Sequence, residues 1–225
     1  MASDKAPVSA ARLAEQLGDQ LPSAASIPDS ALDLVARTRE LVEAVVLTDV
    51  DGAARAQAAD AVAAITAALR SQQRPAPLFL VRHEDGRVES MLNAGSGRLN
   101  PQAPPIEWID RPAEPPPSSE PRLVGVRARC TFTAAHAGSP NRVYGGVLAC
   151  ALDEVLGIAV NASGVSGMTV SFTLSLKGGT PFDVPVELVA RCTGFEGRKS
   201  YATGEVIVDG TVTAEASAIY VGERR

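Results

Sequence analysis

The sequence predicts an α+β fold in which an antiparallel sheet wraps one buried helix. Three observations lead there. Residues 145–160 are apolar on nearly every side, through Val147, Leu148, Ala151, Leu152, Val155, Leu156 and Ile158, so the helix they form has to be buried. Met168, Val170, Phe172, Leu174 and Leu176 alternate with Thr169, Ser171, Thr173, Ser175 and Lys177, the period-two signature of a strand with one apolar face. Asp209-Gly210 is a two-residue hairpin turn joining residues 200–208 to 211–221. A helix without a polar side and strands with one apolar face bury each other.

The elements follow in order along the chain. Residues 1–75 read as a helical extension. A weak helix is expected around 8–20, and a firmer one after the Pro28-Asp29-Ser30 start signal, where Leu34, Val35, Thr38, Leu41, Val42 and Val45 recur at helical spacing. Alanine-rich residues 53–70 form another past Asp51-Gly52, with Val62, Ile65 and Leu69 as a thin apolar stripe. These helices are expected to pack on the outer face of the sheet or to stabilise an assembly. Residues 76–120 divide into a hairpin around Asp85-Gly86 and a proline-rich loop wrapped over the body, anchored by Ile106 and Trp108. Its prolines forbid regular helix and central strand. Residues 121–225 hold the predicted core: a strand at 122–133, the buried helix, the strand at 168–177, a further one through Val184, Val186, Leu188, Ala190 and Cys192, and the closing hairpin.

Composition narrows the function classes. The chain has 225 residues, 45% hydrophobic and 21% charged, with a formal net charge of −5, so no basic stripe points to nucleic acid. The longest apolar runs break before the roughly 20 residues of a membrane span, and the N-terminus shows no signal-peptide core. Cys130, Cys150 and Cys192 lack metal-ligand spacing and read as free thiols in a reducing compartment. A cytoplasmic location is expected, without nucleic-acid or membrane partners. There is no metal set, and no glycine-rich nucleotide loop of dinucleotide or P-loop type.

The chemistry concentrates at His136-Ala-Gly138-Ser-Pro140-Asn141-Arg142-Val143-Tyr144-Gly145-Gly146, followed by Asp153-Glu154 two turns into the buried helix. A helix opened by Gly-Gly lets a ligand approach bare backbone N–H groups at the positive end of the dipole. A carboxylate on an apolar helix is costly unless it is paired or performs chemistry. Together they describe an oxyanion-binding turn with an acid/base or nucleophilic carboxylate.

Between Asn100 and Val221 the chain resembles the hotdog-fold acyl-CoA thioesterases, in the PaaI-like and thioesterase-superfamily-member-4-like branch. The resemblance lies in Asn100-Pro101…Ala103-Pro104-Pro105, His136-x-Gly138-x-Pro140, Tyr144-Gly145-Gly146-x6-Asp153, Gly167-Met168-Thr169, Gly197-Arg198-Lys199 and Ala214-Glu215-Ala216…Tyr220-Val221. It implies an acyl-CoA thioester hydrolase that needs no cofactor, coenzyme A entering only as part of the substrate. By the same resemblance Gly145 N–H polarises the thioester carbonyl, Asp153 acts as general base or nucleophile, and Thr169 orients water. Arg198 and Lys199 fall where the family places coenzyme A phosphates.

The chain departs from the family where His-Gly-Gly is common: Tyr144-Gly145-Gly146 stands instead. Gly138 also takes the place of an upstream Asn, leaving His136, Asn141 or Tyr144 as the polar substrate contact. Gly145 and Asp153 are eight residues apart, roughly 12 Å of helix rise, too far for one carbonyl in one chain. The site therefore joins two subunits, in a homodimer or a dimer of dimers, as the family's composite site implies. The alternative is a non-catalytic hotdog protein that binds acyl-CoA or serves as a scaffold, the Tyr144 change marking lost activity.

Overall fold

The computed structural model describes residues 16–76, 78–115 and 120–222 of the chain. Most of the weak helix expected at 8–20 lies outside them. Its described end, Gly18–Gln20, is a single 3-10 turn. Helix α1 spans Asp29–Leu47 and helix α2 Gly52–Arg70, where the Asp51 side chain caps α2 by accepting from Ala54 N–H. Their packing differs from the expectation. Within the chain α1 sits against the turn Ala134–His136, and the Arg39 guanidinium donates to the carbonyls of Asn100 and Ala103, so it does not cover the outer face of the sheet. Helix α2 buries no residue, and Val62, Ile65 and Leu69 are exposed.

Strands β1 (Leu80–Arg82) and β2 (Val88–Ser90) form the expected hairpin, with Gly86 at φ +85° in its turn. The proline-rich segment is not all loop. Ile106–Asp110 forms strand β3, paired antiparallel with β4 (Gly125–Thr131) as the edge of the main sheet. Prolines flank these five residues without entering them, and an edge position tolerates such neighbours. After a small ribbon of β5 (Ala137–Ser139) and β6 (Arg142–Val143) comes helix α3, Gly145–Ala162. Strands β7 (Met168–Leu176), β8 (Pro185–Glu196), β9 (Lys199–Val208) and β10 (Thr211–Val221) complete a six-stranded antiparallel sheet in the order β3-β4-β8-β9-β10-β7.

Helix α3 packs against one face of this sheet, touching β4, β7, β8, β9 and β10. Among the described helices it alone has the length and apolarity to cross a membrane, and Leu148, Leu152, Val155, Leu156 and Val160 bury it in the core instead. The facing strands are lined by small residues, Ala190, Ala202, Gly204, Ala214, Ala216 and Ala218, which lets the helix approach closely. A Cβ at Gly204 would lie 3.0 Å from the Val189 carbonyl oxygen and 3.3 Å from a Leu156 methyl. Gly204→Ala is therefore expected to lower stability by about 1–3 kcal/mol in a denaturant titration, the cost of overpacking a filled core. Cys130 and Cys192 point into this core as free thiols, and burial pushes the Cys130 thiol up to about 12.

Strand β7 departs from its sequence pattern in one respect. Phe172 and Leu174 pack on the core and Leu176 on the same face is exposed. A bulge leaves Val170 without a partner on β10, so the alternation shifts and Thr169, rather than Met168 or Val170, faces α3. Met168 and Val170 are exposed, Val170 by 60%. The strand is also a sheet edge. Open backbone groups together with uncovered apolar side chains are the features that natural edges carry when another chain covers them.

Candidate active site

The two halves of the acidic pair point to different places. Residues 153 and 154 are about 100° apart around the helix. Thr169 Oγ1 on β7 donates to Asp153 Oδ1 at 3.1 Å, and the Tyr220 hydroxyl on β10 donates to the Asp153 backbone carbonyl at 3.3 Å. Thr169 and Tyr220 are cross-strand partners beside a bulge at Val170 in β7, so sheet register delivers both to the same turn of α3. Asp153 is half-buried rather than enclosed. No cation among the described residues pairs with it: Arg142, the obvious partner in sequence, donates instead to the Gly179 carbonyl.

Glu154 has a different setting. It accepts from Ser96 Oγ at 2.5 Å, and burial raises its carboxyl above the usual range. Helix periodicity could not separate the two acids, because α3 is apolar on nearly every side. Long-range pairing separates them, with Asp153 beside a hydroxyl and Glu154 under the 93–97 turn.

Tyr220 is the group that sequence reasoning placed only in the last strand. It is 3% exposed, and burial drives its hydroxyl well above the ordinary tyrosine range. A lone phenol inside an alternating apolar strand was the available signal, since a buried hydroxyl has to find an acceptor. Tyr220→Phe removes one donor without changing shape. A loss of about 1 kcal/mol in stability is expected from chemical denaturation, the net worth of one hydrogen bond.

The N-terminus of α3 is uncapped. Tyr144 occupies the capping position without making a side-chain cap, and Val147 and Leu148 donate to its carbonyl, leaving Gly145 and Gly146 N–H without intrahelical acceptors. The Tyr144 ring lies against two glycines: a Cβ would meet it at 2.9 Å from Gly138 and at 2.7 Å from Gly146. Gly138 and Gly146 thus make room for the Tyr144 ring. Tyr144 is 61% exposed.

The remaining predicted contacts have local duties. His136 Nδ1 accepts from Thr133 N–H at 3.0 Å, and its ring meets Phe132 edge-on at 5.6 Å between centroids, so it fastens the turn before β5. Burial lowers its pKa, favouring the neutral ring that this acceptor role requires. Asn141 is the left-handed residue of the β5–β6 turn, at φ 58°. Arg198 donates two hydrogen bonds to the Gly222 carbonyl, at 2.7 and 3.0 Å, while Lys199 is exposed. Ser200, Tyr220 and Thr169 lie abreast on β9, β10 and β7, which sets the Arg198-Lys199 turn at the same sheet end as Thr169, about 10 Å across two strand spacings. Helix rise holds Gly145 roughly 12 Å from Asp153 along α3, so the structure does not bring these two together in one chain.

Among solved structures, a thioesterase superfamily protein superposes with a TM-score of 0.72 at 26% identity, covering 89% of this chain and 97% of that one. Thioesterase superfamily member 2 from zebra fish matches at a TM-score of 0.45 and 16% identity, over 52% of this chain and 81% of its own. A hypothetical thioesterase from Streptococcus pneumoniae, solved with coenzyme A, matches at 0.45 and 15%, over 53% and 91%. No protein-family model and no curated protein matches the sequence.

Proposed function

The chain has the hotdog fold of the thioesterase superfamily, and from that premise we propose that it hydrolyses acyl-CoA thioesters at a site shared between two subunits. The observation that carries this reading is the Thr169–Asp153 hydrogen bond, which holds a half-buried carboxylate, without a cation partner among the described residues, beside an uncovered sheet edge. Asp153 is the general base in this reading. It takes a proton from water as the oxygen attacks the thioester carbonyl carbon, and Thr169 fixes the carboxylate's orientation. Gly145 N–H of the second subunit, at the positive end of α3, receives the charge that builds on the carbonyl oxygen. Collapse of the tetrahedral species breaks the C–S bond, and coenzyme A leaves as thiolate and takes up the proton.

A second copy is required twice over. Gly145 and Asp153 of one chain cannot reach the same carbonyl, and the exposed apolar residues of β7 need a cover. Arg198 and Lys199 retain only a peripheral role toward coenzyme A phosphates, because the Arg198 fork already serves Gly222. His136, Asn141 and Tyr144 shape the loop that presents Gly145. The test is thiol release by the purified protein from a panel of short, long and aryl acyl-CoAs. Turnover on any member supports the hydrolase. Absence of turnover on all of them, with acyl-CoA still raising the melting temperature, would replace it with an acyl-CoA-binding protein.

A further inference from the structure

A cavity of about 140 Å³ lies between α3 and the 80–114 segment, away from the groups assigned above. Glu154, Gly157, Ile158 and Asn161 form its floor, one stripe along the helix. Leu80 and Val88 supply apolar wall, and Arg111 and Glu114 close it from the segment that follows β3.

Arg111 is the group that makes this space chemically specific. Its guanidinium carbon sits 5.0 Å from the centroid of the Trp108 ring, which fixes the plane of the fork. Glu89 also lines the cavity, its charge matched by His83 and Arg98, and Arg87 nearby pairs with Asp85. Arg111 forms neither an ion pair nor a hydrogen bond with any described residue, so its donors face the cavity. Burial pushes the Glu114 and Glu154 carboxyls upward, toward the neutral form, which can donate an O–H.

We propose that this cavity binds a small organic carboxylate, held by Arg111 as a bidentate pair. The fork matches two carboxylate oxygens. A single part-buried cation among three carboxyl groups, Glu89, Glu114 and Glu154, suits a monoanionic head better than a phosphate dianion, whose second charge would meet those oxygens. The volume equals that of four or five waters, room for the carboxylate and a short stem. The carboxylate is either that of a free acid or the far end of an acyl group whose thioester lies at Asp153, the residue before Glu154.

Calorimetric titration of wild type, Arg111→Lys and Arg111→Gln with succinate and butyrate tests the free-acid source. Titration of the same proteins, each also carrying Asp153→Asn, with succinyl-CoA and butyryl-CoA tests the acyl source without depending on hydrolysis. Binding to wild type in either arm, weakened at least tenfold by Arg111→Gln and partly restored in Arg111→Lys, supports the site, and the arm that responds identifies the source. The acyl arm counts only where succinyl-CoA is preferred over butyryl-CoA and Arg111→Gln abolishes the preference. Circular dichroism confirms folding of each variant, and Glu114→Gln, which keeps a donor, should bind within a fewfold of wild type. Absence of carboxylate binding in both arms, or equal affinity in wild type and the Arg111 variants, would overturn the proposal.

Discussion

Asp153→Asn lowers thiol release from acyl-CoA by about 10²–10⁴-fold, the usual worth of a positioned general base. The amide keeps an oxygen to accept from Thr169 Oγ1 and leaves the Tyr220 bond to the backbone carbonyl untouched. It cannot take a proton from water. The melting temperature should therefore stay within a few degrees of wild type, which separates lost chemistry from lost structure. Thiol release on the best acyl-CoA, measured beside a thermal melt, checks both halves. Retention of more than a tenth of wild-type turnover would remove Asp153 from the mechanism. Glu154→Gln is the internal comparison: its carboxyl is engaged by Ser96, so this change should leave turnover within a few-fold of wild type.

Gly145→Pro is expected to lower turnover by about 10²–10³-fold, because it deletes one backbone N–H aimed at the developing oxyanion. The position tolerates proline unusually well. Gly145 is the first residue of α3, where the N–H has no intrahelical acceptor and a helical φ suits the ring. Tyr144 before it is already extended, at φ −65° and ψ 133°, as a residue preceding proline must be. Gly145→Ala is the control. Its Cβ would come 3.2 Å from a Leu176 methyl, a contact that a side chain on the exposed strand can relieve, and it keeps the N–H. A large loss with proline and a small one with alanine assigns the effect to the donor. Equal losses would assign it to crowding.

Much of the fold was legible in the sequence because it rests on local periodicity. The all-apolar run from Val147 to Ile158 could only be a buried helix, and Asp209-Gly210, with φ of 48° and 77°, turns as its residue types require. Strand β3 escaped because prolines dominate its neighbourhood, while the pairing that makes it a strand is tertiary, with β4. The exposed start of β7 escaped for a related reason: the sequence alternates without a break, while the bulge at Val170 that turns Thr169 toward α3 is set by pairing with β10. In the site, the glycine turn and the acidic pair were visible as residue types in unusual company. The difference between Asp153 and Glu154 was not, since it depends on Thr169, Tyr220 and Ser96, which lie far away in sequence. His136 was visible as a polar residue beside the site, but its local bond was not: its Nδ1 accepts a backbone N–H three residues upstream.

The central claim is that each site takes Asp153 from one subunit and Gly145 from the other, and mixing two inactive variants tests it most directly. Asp153→Asn and Gly145→Pro chains, co-expressed with different tags, form mixed dimers in which one of the two sites has both groups intact. Random pairing makes half of the dimers mixed, so recovery of about a quarter of wild-type turnover is predicted, rising to about half after purification on both tags. If the mixture is no more active than either variant alone, the two residues act within one chain or not together, and the shared site is wrong.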